Sequence, residues 1–526
     1  MKDKTATPKK INTGSKKGER KIFISKLVVV LMLIALQVVL IFLAYGAMRE
    51  YIIYWRTGAM LLSLFVVLYL VNKQDNPAYK LIWIMLVLTM PLAGGALYIA
   101  MAGNRTRVKF IKEALDNHND TFRNFDSDEE VWREINEKSK SASVQSKYIS
   151  KTAGYPVYRD TEVEYFSVGE RNYDALKREL LAAKSFIFME YFIIKQGEMW
   201  NSILDILVNK VREGVDVRLI YDDFGCAMGV PSRFKERMEK LGIKVAPFNP
   251  VVPIISLRQN NRDHRKITVI DGWVGFTGGI NLADEYINRE ERFGHWKDTG
   301  VMLKGRAVWN LTVMFLQNWQ FLTKEADDYN LFRPDRYLPD NIKGSGYVQP
   351  YGDTPVDNEI VGENIYLNMI NKAKYYVYIT TPYLIIDNEM VTALTLAAKS
   401  GIDVRIITPG IPDKKLVYLV TQSYYAQLVS AGVKIYQYTP GFIHAKTVIV
   451  DGRIATVGTI NFDYRSLYLH FECGVWMYDA KVIEEIVQDY KDTLEVCDEV
   501  TMEEIRKYSG KKRLWQSVLR LVAPLL

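Results

Sequence analysis

Cysteine is scarce: Cys226, Cys473 and Cys497 are the three in 526 residues, widely spaced and without a CxxC pair. That excludes a disulfide scaffold and a cysteine-based zinc site, and leaves them as small apolar fillers. Histidine is nearly as scarce, with only His118, His264, His295, His444 and His470. Positive charge is lacking outside one segment. The formal net charge is +7, yet residues 1–21 carry eight Lys/Arg against Asp3 and Glu19 and net +6 alone. The near-neutral remainder argues against a general nucleic-acid binder. A basic tail before an apolar run suits anionic headgroups, or serves as a disordered topogenic tail.

Long apolar runs, by contrast, are present. "LVVVLMLIALQVVLIFLAYGAM" (27–48) is uncharged over 22 residues, long enough for a bilayer core that needs about 20 helical residues. It is too long for a signal-peptide core. A shorter run at about 52–71 begins among the aromatics Tyr51, Tyr54 and Trp55, and a third, 81–102, contains Pro91 and Gly94-Gly95. The expectation is a region of transmembrane helices over 22–102, in a multi-pass protein of the cell membrane with its tail in the cytoplasm. Arg105, Arg107, Lys109 and Lys112 argue for the inside after the last run, whereas three crossings would lead outside. Two or three spans therefore both stand.

From about residue 150, short apolar strands alternate with amphipathic stretches, the pattern of α/β layers. The order then repeats. "GVDVRLIYDD" (214–223) matches "GIDVRIITPG" (401–410), and "KLGIKVAPF" (240–248) matches "SAGVKIYQY" (430–438). "DHRKITVIDGWVGFTGGIN" (263–281) matches "IHAKTVIVDGRIATVGTIN" (443–461), with His264 and His444 180 residues apart. Periods this long mean a duplicated domain, 151–335 and 336–510, after a linker at 103–150.

Each copy carries His-x-Lys-x4-Asp, a Gly-rich turn and an Asn: His264, Lys266, Asp271 and Asn281, then His444, Lys446, Asp451 and Asn461. Residues two apart on a strand share a face, so each His and Lys point the same way. A lysine there can hold a phosphate oxygen as a point charge, and Asn can add a hydrogen-bond donor. Two such sites around one phosphorus suit in-line displacement, one imidazole attacking and the other serving as acid and base. The lysines can neutralise the phosphoryl oxygens, so neither metal nor other cofactor is expected. A lone strand histidine is usually a satisfied core residue; recurrence of the whole pattern argues against that.

This double pattern resembles the HKD motif of the phospholipase D superfamily, and "DHRKITVIDGWVGFTGGINLADEY" and "HAKTVIVDGRIATVGTINFDYRS" resemble bacterial cardiolipin synthases. The resemblance spans the chain from about residue 50 onward. It implies two tandem phospholipase D-like α/β domains, mixed sheets flanked by helices and related by a pseudo-twofold axis, after the transmembrane region. It implies that each motif histidine pairs with an acid further along, Asp298 and Glu472 occupying those positions 34 and 28 residues later. It implies that Asp271 and Asp451, though part of the candidate catalytic motif, anchor the turn after the strand. The reaction it implies joins two phosphatidylglycerol molecules into cardiolipin and glycerol, through a phosphatidyl-histidine on His264 with His444 as acid/base. The duplicated motif leaves the reverse assignment open, and a membrane-anchored phospholipase D is the alternative. Partners would be phosphatidylglycerol, other anionic phospholipids and the membrane, with no nucleic acid; nothing speaks to oligomeric state.

Two departures stand out. Gly279 and Thr459 occupy a position where the superfamily often has Ser, and Glu190 is matched by Thr381, making the pocket walls unlike. Finally, "KKRLWQSVLRLVAPLL" (511–526) sets Leu514, Val518, Leu521 and Leu525 at helical spacing beside Trp515, as an amphipathic C-terminal helix for anionic lipid.

Overall fold

The computed structural model describes residues 52–73, 76–90, 94, 95, 98, 125, 129–250, 260–357 and 359–525, with Val39. The chain divides into two compact units, one with the N-terminal helices and one with residues 105–250 and 258–526.

In the first unit, helix Ile52–Asn72 is followed by helix Pro77–Thr89. Asn76 starts the second by accepting from the Ala78 amide at 2.9 Å, with Pro77 in the first turn, where its missing N–H costs nothing. Among the described residues no helix is long and apolar enough to cross a membrane. Thus the expectation of a multi-pass protein finds no support here. The 27–48 run lies outside the described residues apart from Val39, and most of 90–102 does too.

In the second unit the repeat becomes two mixed sheets of matching order. The first half supplies β1 (Thr161–Phe166), β2 (Phe186–Tyr191), β3 (Asp216–Asp222), β4 (Lys244–Phe248), β5 (Lys266–Ile270), β6 (Val274–Gly278), β7 (His295–Lys297) and β8 (Gly300–Gly305). Their sheet runs β1-β8-β6-β5-β2-β3-β4. The second half supplies β9 (Tyr347–Asp353), β10 (Tyr376–Thr380), β11 (Leu384–Ile385), β12 (Asp403–Pro409), β13 (Lys434–Tyr438) and β14 (Gly441–Ile443). It continues with β15 (Thr447–Val450), β16 (Ile454–Gly458), β17 (Phe462–Asp463), β18 (Glu472–Tyr478) and β19 (Cys497–Glu499). Here the order is β9-β18-β16-β15-β10-β12-β13-β19, the same ladder with one added edge strand.

The repeated "G-[VI]-D-V-R" shows why the copies fold alike. Gly214 and Gly401 follow the helices Glu198–Arg212 and Asn388–Lys399 at φ +90° and +91°, a left-handed stop that favours glycine. The chain then re-enters as β3, parallel to β2, and as β12, parallel to β10. Strands β2, β5, β6 and β15 are buried along their whole length, which matches their unbroken apolar wording.

The halves are bound through their middles. Strand β7 pairs in parallel with β14, and Asp263 bridges to Phe471. The Asn310 side chain donates to the carbonyls of Pro156 and Pro350, at 2.9 and 2.7 Å. Residues 129–152, within and just past the stretch expected as a linker, form helices Glu129–Lys138 and Lys140–Thr152 against the second half. There the Trp476 indole donates to Gln145 at 3.0 Å.

Candidate active site

Both motif histidines lie at the carboxyl-terminal edge of the parallel strands, where open α/β sheets place their sites. Each is tied by its backbone to the opposite half. The His264 amide donates to the Phe471 carbonyl at 2.9 Å, and the His444 amide to the Lys297 carbonyl at 2.7 Å.

The side chains cross in the same way, which corrects the simplest reading of the spacing. His264 Nδ1 lies 2.9 Å from both Glu472 oxygens, and His444 Nδ1 lies 2.6 Å from Asp298 Oδ2. Each imidazole thus takes its carboxylate from the other copy, not from the acid 34 or 28 residues after it. The β7–β14 pair and the Asp263–Phe471 bridge enforce this, because they run each acid-bearing strand past the other half's histidine. A carboxylate only accepts, so Nδ1 carries the proton and Nε2 is left for chemistry.

Burial dominates the electrostatics, and Glu472 and Asp298 are fully enclosed. It pushes His264 down to about 3, against the opposing pull of Glu472. It also drives His444 well down, helped by the ammonium groups of Lys446 and Lys266. The two acids differ. Burial would raise Glu472, but His264 and His470 beside it hold it below the usual carboxylate range. Asp298 is raised by burial to about 7, with Lys446 opposing. Burial lowers Lys266 to about 8 and Lys446 to about 7. Each lysine donates to the carbonyl of its own motif histidine.

The other candidates divide. Asp271 and Asp451 are not part of the site. Asp271 accepts from the amides of Lys184, Ser185 and Phe186, and Asp451 from those of Lys374, Tyr375 and Tyr376. Both have positive φ, +48° and +54°, at the turn beyond the strand. They tie that turn to the start of β2 and β10 and carry no chemistry. Asn281 does not offer a free phosphate donor either: its Nδ2 donates to the Tyr286 hydroxyl at 2.8 Å and its Oδ1 accepts from the Ile193 amide. Asn461 is buried, and its Oδ1 has no partner.

Gly279 is explained by space. A Cβ there would meet Asp298 Oδ1 at 2.0 Å, so the acid of the first half occupies the room a side chain would need. At the equivalent position the Thr459 hydroxyl donates to Glu472. Strand register also shifts the Glu190 comparison by one residue. Glu190 faces Ile267 as Thr380 faces Thr447, so its counterpart is Thr380. Glu190 bonds Arg265 at 2.8 Å, and Arg265 is replaced by Ala445, so the charged pair is absent as a unit from the second copy.

Residues that the motif did not identify complete the walls. Phe192 meets the His264 ring at 5.0 Å, and Tyr286 and Trp296 meet His444 at 5.6 and 5.5 Å. His470 lies 5.4 Å from the His264 ring, in the place that Trp296 takes beside His444.

Two copies of one histidine-lysine pair, each completed by a carboxylate from its twin, define an enzyme of the phospholipase D type. A family profile described as "Cardiolipin synthase, PLD-like domain" matches residues 176–303 and 366–494. Another, "Phospholipase_D-nuclease N-terminal", matches 61–101. A cardiolipin synthase of Halalkalibacterium halodurans is 35% identical over 88% of this chain and 91% of its own. An uncharacterized protein of Streptococcus mutans is 45% identical over 88% of this chain and 99% of its own. In fold the chain is similar to the crystal structure of phosphatidylserine synthase from Haemophilus influenzae, at TM-score 0.56 and 14% identity. That match covers 73% of this chain and all of the other. The chain belongs to the cardiolipin synthase family of the phospholipase D superfamily, and it is a phosphatidyltransferase.

Proposed function

We propose that this enzyme joins two phosphatidylglycerol molecules into cardiolipin and glycerol. His264 Nε2 attacks the phosphorus of the first lipid, and the bond from phosphorus to the headgroup glycerol oxygen breaks. His444, which takes up a proton on Nε2 when the phosphodiester anion binds beside it, gives that oxygen the proton. A glycerol hydroxyl of the second lipid then returns a proton to His444 and attacks phosphorus, breaking the P–N bond. Lys266 and Lys446 leave the histidine carbonyls to neutralise the phosphoryl oxygens.

The observation that carries this reading is the crossed pairing of two matched imidazoles. His264 Nδ1 faces Glu472 at 2.9 Å and His444 Nδ1 faces Asp298 at 2.6 Å, so each half completes the other's histidine and both Nε2 atoms are left for chemistry. Lipid as substrate is supported by the rim. The segments that follow β3 and β12 expose Phe224, Met228, Ile411 and Leu416. Arg262, two residues before His264, stacks on Phe224 at 5.1 Å, and the Ile411 amide bonds Gly441, three before His444. Helix Gly510–Leu521 likewise exposes Leu514, Trp515, Val518 and Leu521 beside Lys511, Lys512 and Arg513. An apolar face edged with cations fits an anionic lipid surface. We place the enzyme at the cell membrane on these grounds and on the apolar runs before residue 103, with 151–335 and 336–510 as its two domains.

Product analysis tests this directly. Purified enzyme given phosphatidylglycerol alone is expected to release cardiolipin and glycerol in equal amounts; phosphatidic acid as main product would identify a hydrolase instead. The rim has its own test. Phe224→Asp with Met228→Asp is expected to lower turnover of phosphatidylglycerol in proteoliposomes several-fold while sparing a soluble short-chain phosphatidylglycerol.

The lysines give a further expectation. A phosphodiester anion between them raises both pKa values, so groups partly neutral at pH 8 must gain protons on binding. With Lys446 about 7 and Lys266 about 8, about 0.9 and 0.5 of the two groups are neutral at pH 8, so the uptake approaches about 1.4 protons per active site. Titration calorimetry of His264→Ala with short-chain phosphatidylglycerol, in two buffers of different ionisation enthalpy, reads that number.

A further inference from the structure

His470 has no role in the reaction just described, yet it is buried beside a motif histidine. It is 9% exposed and neither ring nitrogen has a hydrogen-bond partner. An imidazole buried in that state is costly unless something uses it. Its Nδ1 lies 3.5 Å from Glu472 Oε1, and His264 Nδ1 lies 2.9 Å from the same oxygen. One ligand atom from each of His264, His470 and Glu472 falls within 4.8 Å of the others.

Those separations have a chemical meaning. Four-coordinate zinc with bonds of about 2.0–2.2 Å holds its ligand atoms about 3.3 Å apart. The two contacts to Glu472 Oε1 bracket that value. Two imidazoles and one carboxylate, with an open fourth position, are a donor set for a borderline ion rather than for calcium or magnesium. The second carboxylate oxygen is already fixed by the Thr459 hydroxyl, so Oε1 is the one left for an ion.

We propose that His264, His470 and Glu472 bind a divalent transition metal of the zinc class, which inhibits the enzyme by replacing the proton between His264 and Glu472. With the ion on His264 Nδ1, the proton it displaces moves to Nε2, so the neutral imidazole of the first half no longer has a lone pair to present to phosphorus. Among the described residues the site exists in one half only, because the second pair has Trp296 where the first has His470. The inhibitory consequence rests on His264 acting as nucleophile; the binding site itself does not.

The test is calorimetric titration of ZnCl2 into the full chain in detergent micelles, after removal of metals with a chelator. One ion per chain is expected. His470→Asn is expected to weaken binding by roughly tenfold or more, and His444→Ala to titrate as the unaltered chain does. Equal affinity in His470→Asn, or an equal loss in His444→Ala, would overturn the assignment. Should His470→Asn fail to fold, Co2+ added to the unaltered chain decides the matter. A four-coordinate site gives strong visible absorption, and its absence rejects the proposal. Zinc is further expected to slow turnover of the unaltered enzyme, reversibly by chelator; binding without slowing overturns the inhibitory part. A chain that makes no product from phosphatidylglycerol would count against the functional reading, while the zinc titration would still decide the site.

Discussion

Replacing either His264 or His444 with alanine is expected to reduce phosphatidyl transfer by roughly ten-thousand-fold, each variant about as impaired as the pair together. Groups that act as one unit fail together, so the second substitution has little left to remove. Simple additivity would instead make the double variant far worse than either single one. The expectation follows from the geometry. His264 has its carboxylate from the second half and His444 from the first, so neither half contains a complete imidazole–acid pair. A fragment holding one motif would keep its histidine and lose the partner that orients it. The measurement is cardiolipin formed per minute from phosphatidylglycerol, with thermal unfolding recorded for each variant. Activity within tenfold of the unaltered enzyme in either single variant would reject a shared site.

The parts of this arrangement were unequally legible. The succession of repeated strands and the two motifs could be read because they are local. Apolar runs, glycines such as Gly214 and Gly401, and the His-x-Lys spacing are repeated in the wording itself. The exchange of carboxylates could not be read. Asp298 and Glu472 follow their own motif histidines at comparable distances, so spacing points to pairing within a half. What decides otherwise is the parallel contact of β7 with β14, a three-residue pairing between segments far apart in the chain. Asn281 misled for a related reason. Its repeat position suggested a ligand contact, but its two polar ends are consumed by Ile193 and Tyr286, and nothing in the motif names those partners. His470 stood in plain view as one of five histidines, two residues before Glu472. Its signal was the contrast with Trp296, which emerges only once the halves are superposed through their acids.

The exchanged acids should separate the two steps of the reaction. Changing an orienting carboxylate to its amide keeps the shape but favours the wrong tautomer, an effect of about ten-thousand-fold in the serine-protease case. Glu472→Gln is therefore expected to disable His264, and Asp298→Asn to disable His444. With phosphatidylglycerol both variants are slow, because attack and protonation of the leaving glycerol are both required. A phosphatidyl ester of p-nitrophenol removes the second requirement, since that leaving group departs without an acid. Asp298→Asn should then release a burst of p-nitrophenolate, about one per active enzyme, and stall with the lipid on His264. Glu472→Gln should show no burst. If pairing followed the spacing within each half, or if His444 were the nucleophile, the burst would move to Glu472→Gln; bursts in both variants would mean that neither acid governs its imidazole. Stalled Asp298→Asn provides the direct check, because a phosphatidyl group on nitrogen survives base and is lost in acid, and mass analysis of the peptide carrying it should locate that group at His264.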